Sequence, residues 1–277
     1  MIEVIAEIGV NHNGDYHTAC LLVDAAKSAG CDTAKFQLWD TERVYPRERW
    51  DEMKRLELSR WEIESLKLYC DDADIEFLCT PDEIEDAHFL KEIGVKRIKT
   101  SSQDICNRLF LREVAILGLP LIVSTGACTQ DELMQATWVL EVRNHNITVL
   151  HCVSAYPAPI DQMNLRVIEY LRKFRTDWAV GLSDHTRGNS AALISLGLGA
   201  TVFEKHITLD CDQPGPDHAA SFDPVQMADY VQRLRDGEKA LGDGIKRIMP
   251  CEMENRKRYE KFIEPRMTHA DSSASSN

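Results

Sequence analysis

One period runs through most of this chain: a short apolar run, a polar tip, an amphipathic segment and then the next apolar run. Eight runs of strand type occur, at Glu3–Ile8, Thr33–Leu38, Glu76–Cys79, Arg97–Thr100, Leu121–Ser124, Thr148–Cys152, Ala179–Leu182 and Thr201–Glu204. Segments with helical spacing follow them, at roughly Tyr16–Ala29, Trp61–Asp72, Ile84–Glu92, Leu109–Leu117, Asp131–Val142, Leu165–Lys173, Ser190–Leu196 and Pro224–Leu241. Eight strand and helix pairs predict an α/β protein with a (β/α)8 TIM barrel. A doubly wound open sheet is the competing fold.

The barrel pattern fills residues 1–245 and predicts a single catalytic domain. Residues 246–264 predict a linker-like helical segment, and the serine-rich residues 265–277 predict a short disordered tail. The longest loop after a strand runs from Trp39 to Arg60 and is charged and aromatic. A long loop of this kind predicts a lid over the site.

Composition limits the classes of partner. The chain has 277 residues and a formal net charge of −13, which argues against nucleic acid or an anionic membrane as the main partner. No apolar run approaches the length of a membrane helix. Nine cysteines, an odd number without a C-x-x-C pair, indicate buried thiols in a reducing compartment. We therefore expect a cytoplasmic protein that acts on small molecules.

Polar side chains follow the C-terminal ends of the predicted strands, where barrels of this kind build their active sites. Glu7 follows the first strand, Lys35 and Gln37 lie in the second, and Thr80 and Asp82 follow the third. The later strand ends carry the same bias, with Lys99, Ser102, Gln103, Asp104, Ser124, Ser154, Tyr156, Ser183, His185 and His206. The opposite ends of the strands carry few polar side chains. This asymmetry predicts a site at one mouth of the barrel.

Two lysines in apolar runs are the most informative of these residues. A buried, unpaired lysine is costly, so Lys35 and Lys99 require carboxylates or a bound anion. Lys35 could pair simply with Glu7. Together with the hydroxyls of Ser102, Ser124 and Ser183, however, the two lysines have the inventory of a phosphate site.

Two histidines follow neighbouring strands at the same end. His185 and His206 are 21 positions apart in sequence, but adjacent strand ends would place them side by side. Either one alone could be a hydrogen-bonded core histidine. As a pair, they predict a divalent metal site with open positions for substrate oxygens and water. The Pro214–His218 loop predicts a rigid position for Asp217, and His12 could face the substrate or belong to a turn.

These residues also carry a family resemblance. The segments AEIGVNHNGD, AKFQ, FLCTPD, IKTSSQDICN, LIVSTGA, VLHCVSAYPAP, VGLSDHT, EKHITLD and PGPDHAAS together resemble the sialic acid synthase (N-acetylneuraminate synthase) family. The match runs in order from about residue 2 to about residue 245 and includes every strand end. The family's members condense phosphoenolpyruvate with N-acetylmannosamine or related aldoses on a (β/α)8 barrel.

The resemblance implies a role for each matching position. Residues implied to hold the phosphate and carboxylate of phosphoenolpyruvate are Lys35, Thr80, Lys99, Ser102, Ser124, Ser154 and Ser183. Glu7, Tyr156 and Asp217 would face the sugar, and His185 and His206 would bind Mn2+ or Mg2+. The residues implied to be catalytic are Glu7, Lys35, Lys99, Asp104 and His206.

Two features depart from the family pattern. Asp104 stands where the family has a glutamate, which keeps the carboxylate but shortens it by one methylene. The family usually continues past the linker into an antifreeze-like domain that reaches the partner's site in a swapped dimer. No such pattern follows residue 264 here. A homodimer remains a possible partner arrangement.

We therefore expect a phosphoenolpyruvate-dependent sugar acid synthase. N-acetylmannosamine is the leading acceptor, followed by the sugars that lead to legionaminic or pseudaminic acid. One alternative is a metal-dependent aldolase or isomerase on the same barrel, which would need no phosphate pocket. A non-catalytic sugar-binding or assembly protein is the other alternative, and it would bind sugar without releasing phosphate.

Overall fold

The computed structural model describes residues 1–141 and 146–262. Its strands are β1 Glu3–Gly9, β2 Thr33–Leu38, β3 Glu76–Pro81, β4 Ile98–Thr100, β5 Leu121–Ser124, β6 Ile147–Cys152, β7 Ala179–Asp184 and β8 Val202–His206. The three strands β3, β7 and β8 continue two residues beyond the sequence-predicted ends. The ladder of backbone hydrogen bonds therefore extends into the polar tips, where hydropathy alone suggested that the strands had stopped.

All ladder pairs are parallel, in the order β3-β2-β1-β8-β7-β6-β5-β4. The strands β3 and β4 contact one another at the remaining seam, so the sheet is a nearly closed ring. The prediction of a (β/α)8 barrel is confirmed, and the open doubly wound sheet is excluded because β1 pairs with β8.

Helices follow the strands along the chain. They are α1 Tyr16–Ser28, α2 Thr41–Val44, α3 Trp50–Leu56, α4 Arg60–Asp72, α5 Ile84–Glu92, α6 Arg108–Ile116, α7 Gln130–Glu141, α8 Val167–Phe174, α9 Ser190–Gly197, α10 Pro224–Leu241 and α11 Met253–Tyr259. The short helices α2 and α3 occupy the loop that the sequence marked as a lid. None of the helices in the described residues is long and apolar enough to cross a membrane.

The interior of the barrel is apolar at one level along its axis and mostly polar at the next. An apolar layer of Ile5, Leu78, Ile122, Leu150 and Val202 fills the interior. Side chains two positions further along a strand point to the same face. The next inward residues are polar, namely Glu7, Thr80, Ser124, Cys152 and Glu204. The apolar layer therefore forms a closed floor, and the polar layer forms the base of a site.

A second unit follows the barrel, and its described part, residues 241–262, contains helix α11. The barrel unit ends at Ala240, five residues before the predicted boundary. The predicted tail, residues 265–277, lies outside the described residues.

Gly181 in β7 provides a test of the ring. A Cβ on this residue would lie 2.1 Å from the Val202 carbonyl oxygen of β8, and backbone cannot yield as a side chain does. We expect Gly181→Ala to lower the free energy of unfolding by about 3 kcal/mol or more, measured by urea denaturation. Gly197→Ala is the matched control, since nothing lies within 4 Å there. Equal stability of both variants would contradict the strand packing described here.

Candidate active site

A cavity of about 290 Å³ opens at the C-terminal end of the strands. This is near the lower end of the usual range for small-ligand pockets. The sequence-predicted site residues among its lining are Glu7, Lys35, Thr80, Lys99, Ser102, Ser124, Ser154, Tyr156, Ser183, His185, His206 and Asp217. The barrel thus brings together twelve side chains that are spread over about two hundred positions of sequence.

The base of the cavity is a buried charge cluster. The ammonium nitrogen of Lys35 lies 3.0 Å from Glu7 Oε2 and 3.4 Å from Glu204 Oε2. The ammonium nitrogen of Lys99 lies 3.7 Å from the same Glu204 oxygen. Ser183 donates a hydrogen bond of 2.8 Å to the other Glu204 oxygen. One carboxylate therefore holds both lysines on the same side of the cavity.

The two lysines differ electrostatically. Burial opposes the charge of Lys35, but Glu204 and Glu7 raise its pKa above the ordinary value. Burial lowers the pKa of Lys99, and Glu204 only partly offsets this effect. Burial alone would raise the pKa of Glu204, whereas Lys35 and Lys99 hold it well below its usual range. Lys99 is therefore the lysine with less compensating charge, and an anion would stabilise its ammonium form.

Beside Lys99 the chain forms a cradle of donors. The Lys99 ammonium donates to Ser124 Oγ at 2.6 Å, and the Gly126 N–H donates to Ser102 Oγ at 3.0 Å. A Cβ on Gly126 would lie 2.1 Å from Ser154 Oγ and 2.7 Å from Ser102 Oγ. Only glycine permits this close approach of backbone and hydroxyls. Hydroxyls, an N–H and an ammonium group in one place suit an oxyanion such as phosphate.

Carboxylates and amides line another wall. Gln37 Nε2 donates to Glu7 Oε1 at 2.7 Å, and Asp217 Oδ2 lies 3.6 Å from His206 Nδ1. A Cβ on Gly9 would be within 3.5 Å of both Glu7 Oε1 and Asp217 Oδ2, so these carboxylates are neighbours. The wall offers hydrogen-bond acceptors, which suit the hydroxyls of a sugar.

His185 and His206 lie side by side, with ring centroids 5.4 Å apart, and Tyr156 packs against both rings. His185 Nδ1 is 2.9 Å from the Val153 carbonyl oxygen. Since a carbonyl only accepts, Nδ1 carries a proton, and Nε2 is the atom that can bind a ligand when the ring is neutral. Burial lowers the pKa of His206, although Asp217 and Glu7 act in the opposite direction.

The histidine pair fits two positions of a metal site. His206 Nδ1 is buried without a hydrogen-bond partner, and a neutral imidazole of this kind is a suitable metal ligand. No group of three or more His, Cys, Asp or Glu side chains forms a ready-made metal cluster in residues 1–141 and 146–262. His185 and His206 could supply two nitrogen donors to an ion, and substrate or water oxygens would complete its coordination.

Two candidates from the sequence lie away from the cavity. Asp104 accepts hydrogen bonds from the Ser101 N–H and hydroxyl, at 2.8 and 2.9 Å, and caps the 3-10 helix Ser102–Cys106. Asp104 does not line the cavity. His12 is buried in the turn after β1, where its Nδ1 accepts from the Gly14 N–H at 2.9 Å. Burial lowers the pKa of His12 to about 4, so it is a neutral turn residue.

Other lining residues had no role assigned from sequence. Glu204 is the most important, and strand alternation from His206 would have placed it on the inner face. Cys152 lies 3.5 Å from Ser102 Oγ and 3.8 Å from His185 Nδ1, between the anion cradle and the histidines. Tyr45, from the loop marked as a lid, also lines the cavity. The lid itself stays a prediction, because lining a cavity does not establish movement.

An ion pair on the outer face of the ring ties the two histidine-bearing strands together. Asp184 and Lys205 are opposite one another in β7 and β8, and each directly precedes a site histidine. Their charged atoms are 3.5 Å apart, and both side chains are fully buried. Lys205 also donates to the Thr186 carbonyl and lies over the Phe222 ring. These contacts fix the chain directions at His185 and His206.

We predict that Lys205→Met destabilises the protein by about 3–5 kcal/mol, because it leaves the Asp184 carboxylate buried without its partner. The double variant Lys205→Met/Asp184→Asn should regain at least half of that loss in urea denaturation. Lys239→Met removes one partner of an exposed pair with Asp236 and should leave the midpoint unchanged. Additive effects of the two buried substitutions would show that the pair is not coupled.

Comparisons with known proteins agree with this geometry. A sequence model of the NeuB family matches residues 22–246. The chain is 36% identical to an N,N'-diacetyllegionaminic acid synthase of Campylobacter jejuni, over 91% of this chain and 81% of that one. It is 34% identical to human N-acetylneuraminate-9-phosphate synthase, over 94% of this chain and 77% of the human protein.

A solved structure with a similar fold is the N-acetylneuraminic acid synthetase of Leptospira borgpetersenii. The TM-score is 0.87 at 32% identity, and the alignment covers 93% of this chain and 91% of that one. The family match covers most of the chain, and the fold similarity spans nearly all of it. The chain therefore belongs to the NeuB family of sialic-acid-type synthases.

Proposed function

We propose that this protein condenses phosphoenolpyruvate with an aldose to give a 3-deoxy-2-keto sugar acid and inorganic phosphate. The observation that carries the proposal is the anion-binding base of the cavity, where Lys35 and Lys99 meet the donors around Gly126. A sugar-binding wall and two imidazoles stand beside it. N-acetylmannosamine is the leading acceptor, and sugars that lead to legionaminic or pseudaminic acid are the next candidates, as the names of the relatives suggest.

The base of the cavity would hold the enol phosphate. Lys99, Ser124 and the Gly126 N–H supply a cation and donors for the phosphate, and Ser102, Ser154 and Ser183 supply further hydroxyls. Lys35, with Thr80 at 3.3 Å from its ammonium nitrogen, would bind the substrate carboxylate. These groups already lie together before the ligand arrives, and on binding the Gly126 N–H would exchange its bond to Ser102 Oγ for one to the phosphate.

Condensation joins C3 of phosphoenolpyruvate to the aldehyde carbon of the open-chain sugar. Water then adds at C2, and phosphate leaves with cleavage of its C–O bond. Glu7, Asp217 and Tyr156 would orient the sugar. Glu7 and Asp217 belong to the wall of acceptors beside the base, and Tyr156 lines the same cavity. A Mn2+ or Mg2+ ion bound by His185 and His206 would supply Lewis-acid polarisation of the aldehyde oxygen. Enclosure by the barrel would protect the cationic intermediate at C2 from side reactions.

The test is an inorganic phosphate assay with phosphoenolpyruvate, Mn2+ and a panel of aldoses, with products identified by mass spectrometry. We expect phosphate release only with a suitable aldose, and one keto acid formed per phosphate. Gly126→Ala should reduce kcat/KM at least 100-fold, because the added methyl collides with the hydroxyls of the cradle. Gly197→Ala, which meets nothing within 4 Å and lies in ordinary helical backbone, is the control for backbone substitution.

Two outcomes would replace this proposal. Sugar cleavage or isomerisation that survives Lys35→Ala and Lys99→Ala would favour the aldolase or isomerase alternative. Sugar binding without phosphate release for any acceptor, with or without Mn2+, would favour the non-catalytic alternative. Circular dichroism of each variant separates loss of a site from loss of the fold.

Metal binding by the histidine pair can be tested separately from phosphate release. His206→Ala should abolish metal-dependent turnover and weaken Mn2+ binding at least 10-fold, measured by electron paramagnetic resonance, while the melting temperature stays within a few degrees. His88→Ala on the exposed face of α5 removes a histidine without touching the cavity, and should change neither value. Unchanged turnover and Mn2+ affinity in His206→Ala would remove the metal from the account.

A further inference from the structure

Two acidic residues of the cavity lining, Asp82 and Asp217, are not explained by phosphoenolpyruvate binding. Four carboxyl groups line the cavity, on Glu7, Asp82, Glu204 and Asp217. Two ammonium groups oppose them, on Lys35 and Lys99. The described lining contains no arginine and no further lysine. The formal charge of the lining is therefore negative even before a substrate binds.

Both ammonium groups already have carboxylate partners at the base of the cavity. Lys35 pairs with Glu7 and Glu204, and Lys99 faces Glu204 and donates to Ser124. In the proposed reaction they also meet phosphoenolpyruvate, whose phosphate carries about −1.5 to −2 at neutral pH in addition to its carboxylate. No lysine or arginine of the described lining is left to receive a second phosphate group.

Asp82 faces the cavity from the end of β3 without a partner. No side-chain or backbone hydrogen bond to its carboxyl contributes to its titration. Burial, and then the nearby Asp104, raise the pKa of Asp82 to about 7, so the carboxyl is partly ionised at neutral pH. Tyr45 and Gln103 line the same cavity and carry neutral polar groups. A hydroxyl or amide can donate to this carboxyl, whereas a phosphate would be repelled.

Arg49, which lies beside Tyr45, is one candidate for an opposing charge outside the lining. Its guanidinium lies 5.4 Å from the centre of the Tyr45 ring and 3.4 Å from Glu52. It does not line the cavity, and its side chain is half exposed. Glu52 therefore already offsets this charge outside the mouth.

We propose that the acceptor is an aldose without a phosphate group, and that Asp82 is a specificity-determining residue that rejects phosphorylated sugars. The inference rests on the proposed function, since it concerns the second substrate of the same cavity. Glu7 and Asp217 bind hydroxyls on one wall, and Asp82 accepts from a hydroxyl or amide on another. A dianionic sugar would enter a cavity whose two lysine ammonium groups already have carboxylate partners.

The test uses sugars that cannot react. N-acetylmannosaminitol and its 6-phosphate lack the aldehyde, so their binding can be measured by calorimetry without turnover, with and without phosphoenolpyruvate and with Mn2+ in all samples. We expect the phosphate ester to bind at least 10-fold more weakly than the neutral alditol. In Asp82→Asn this ratio should fall to about threefold or less, because one repelling charge is gone.

Glu64→Gln removes an exposed carboxylate on α4 outside the cavity and should keep the wild-type ratio. Equal or tighter binding of the phosphate ester to the wild-type protein overturns the proposal, and loss of that binding in Arg49→Ala would identify Arg49 as its partner. An unchanged ratio in Asp82→Asn overturns the role of Asp82, and failure of both alditols to bind overturns the acceptor assignment. Absence of phosphate release in the separate turnover assay would instead count against the proposed reaction.

Discussion

The site depends on one buried carboxylate. Glu204 lies between Lys35 and Lys99, accepts from Ser183, and sits on the apolar layer that closes the barrel interior. Two ammonium groups could not be buried so close together without it, because their repulsion would add to the cost of desolvation. The compensation is incomplete at Lys99, and this residual demand for negative charge supports the proposed anion site at the base of the cavity.

Residues of a barrel strand alternate between the inside and the outside of the ring, and the inward ones build the site. Val202, Glu204 and His206 point inward from β8, while Lys205 points outward and pairs with Asp184. The same strand thus contributes to the apolar floor, the charge cluster, the histidine pair and the outer ion pair. Other strands supply Glu7, Lys35 and Lys99 to the charge cluster, whereas His185 follows directly after the end of β7.

Much of this arrangement could be predicted from sequence, and the exceptions have physical reasons. Polar tips after apolar runs placed Lys35, Lys99, His185 and His206 correctly, because the strand ends of a parallel barrel converge. Glu204 was read as the end of an apolar run, since nothing local shows that two lysines from distant strands surround it.

The structure places Asp104 outside the cavity lining. It directly follows strand-end residues in sequence, but the chain turns into a 3-10 helix there, and the carboxylate caps that helix instead of facing the cavity.

A crystal structure with phosphoenolpyruvate and Mn2+ tests the central claim most directly. The account predicts the phosphate within hydrogen-bond distance of Lys99 Nζ, Ser124 Oγ and the Gly126 N–H, above the Glu204 carboxylate. Phosphoenolpyruvate bound elsewhere, or an empty cavity at saturating concentration, would contradict it.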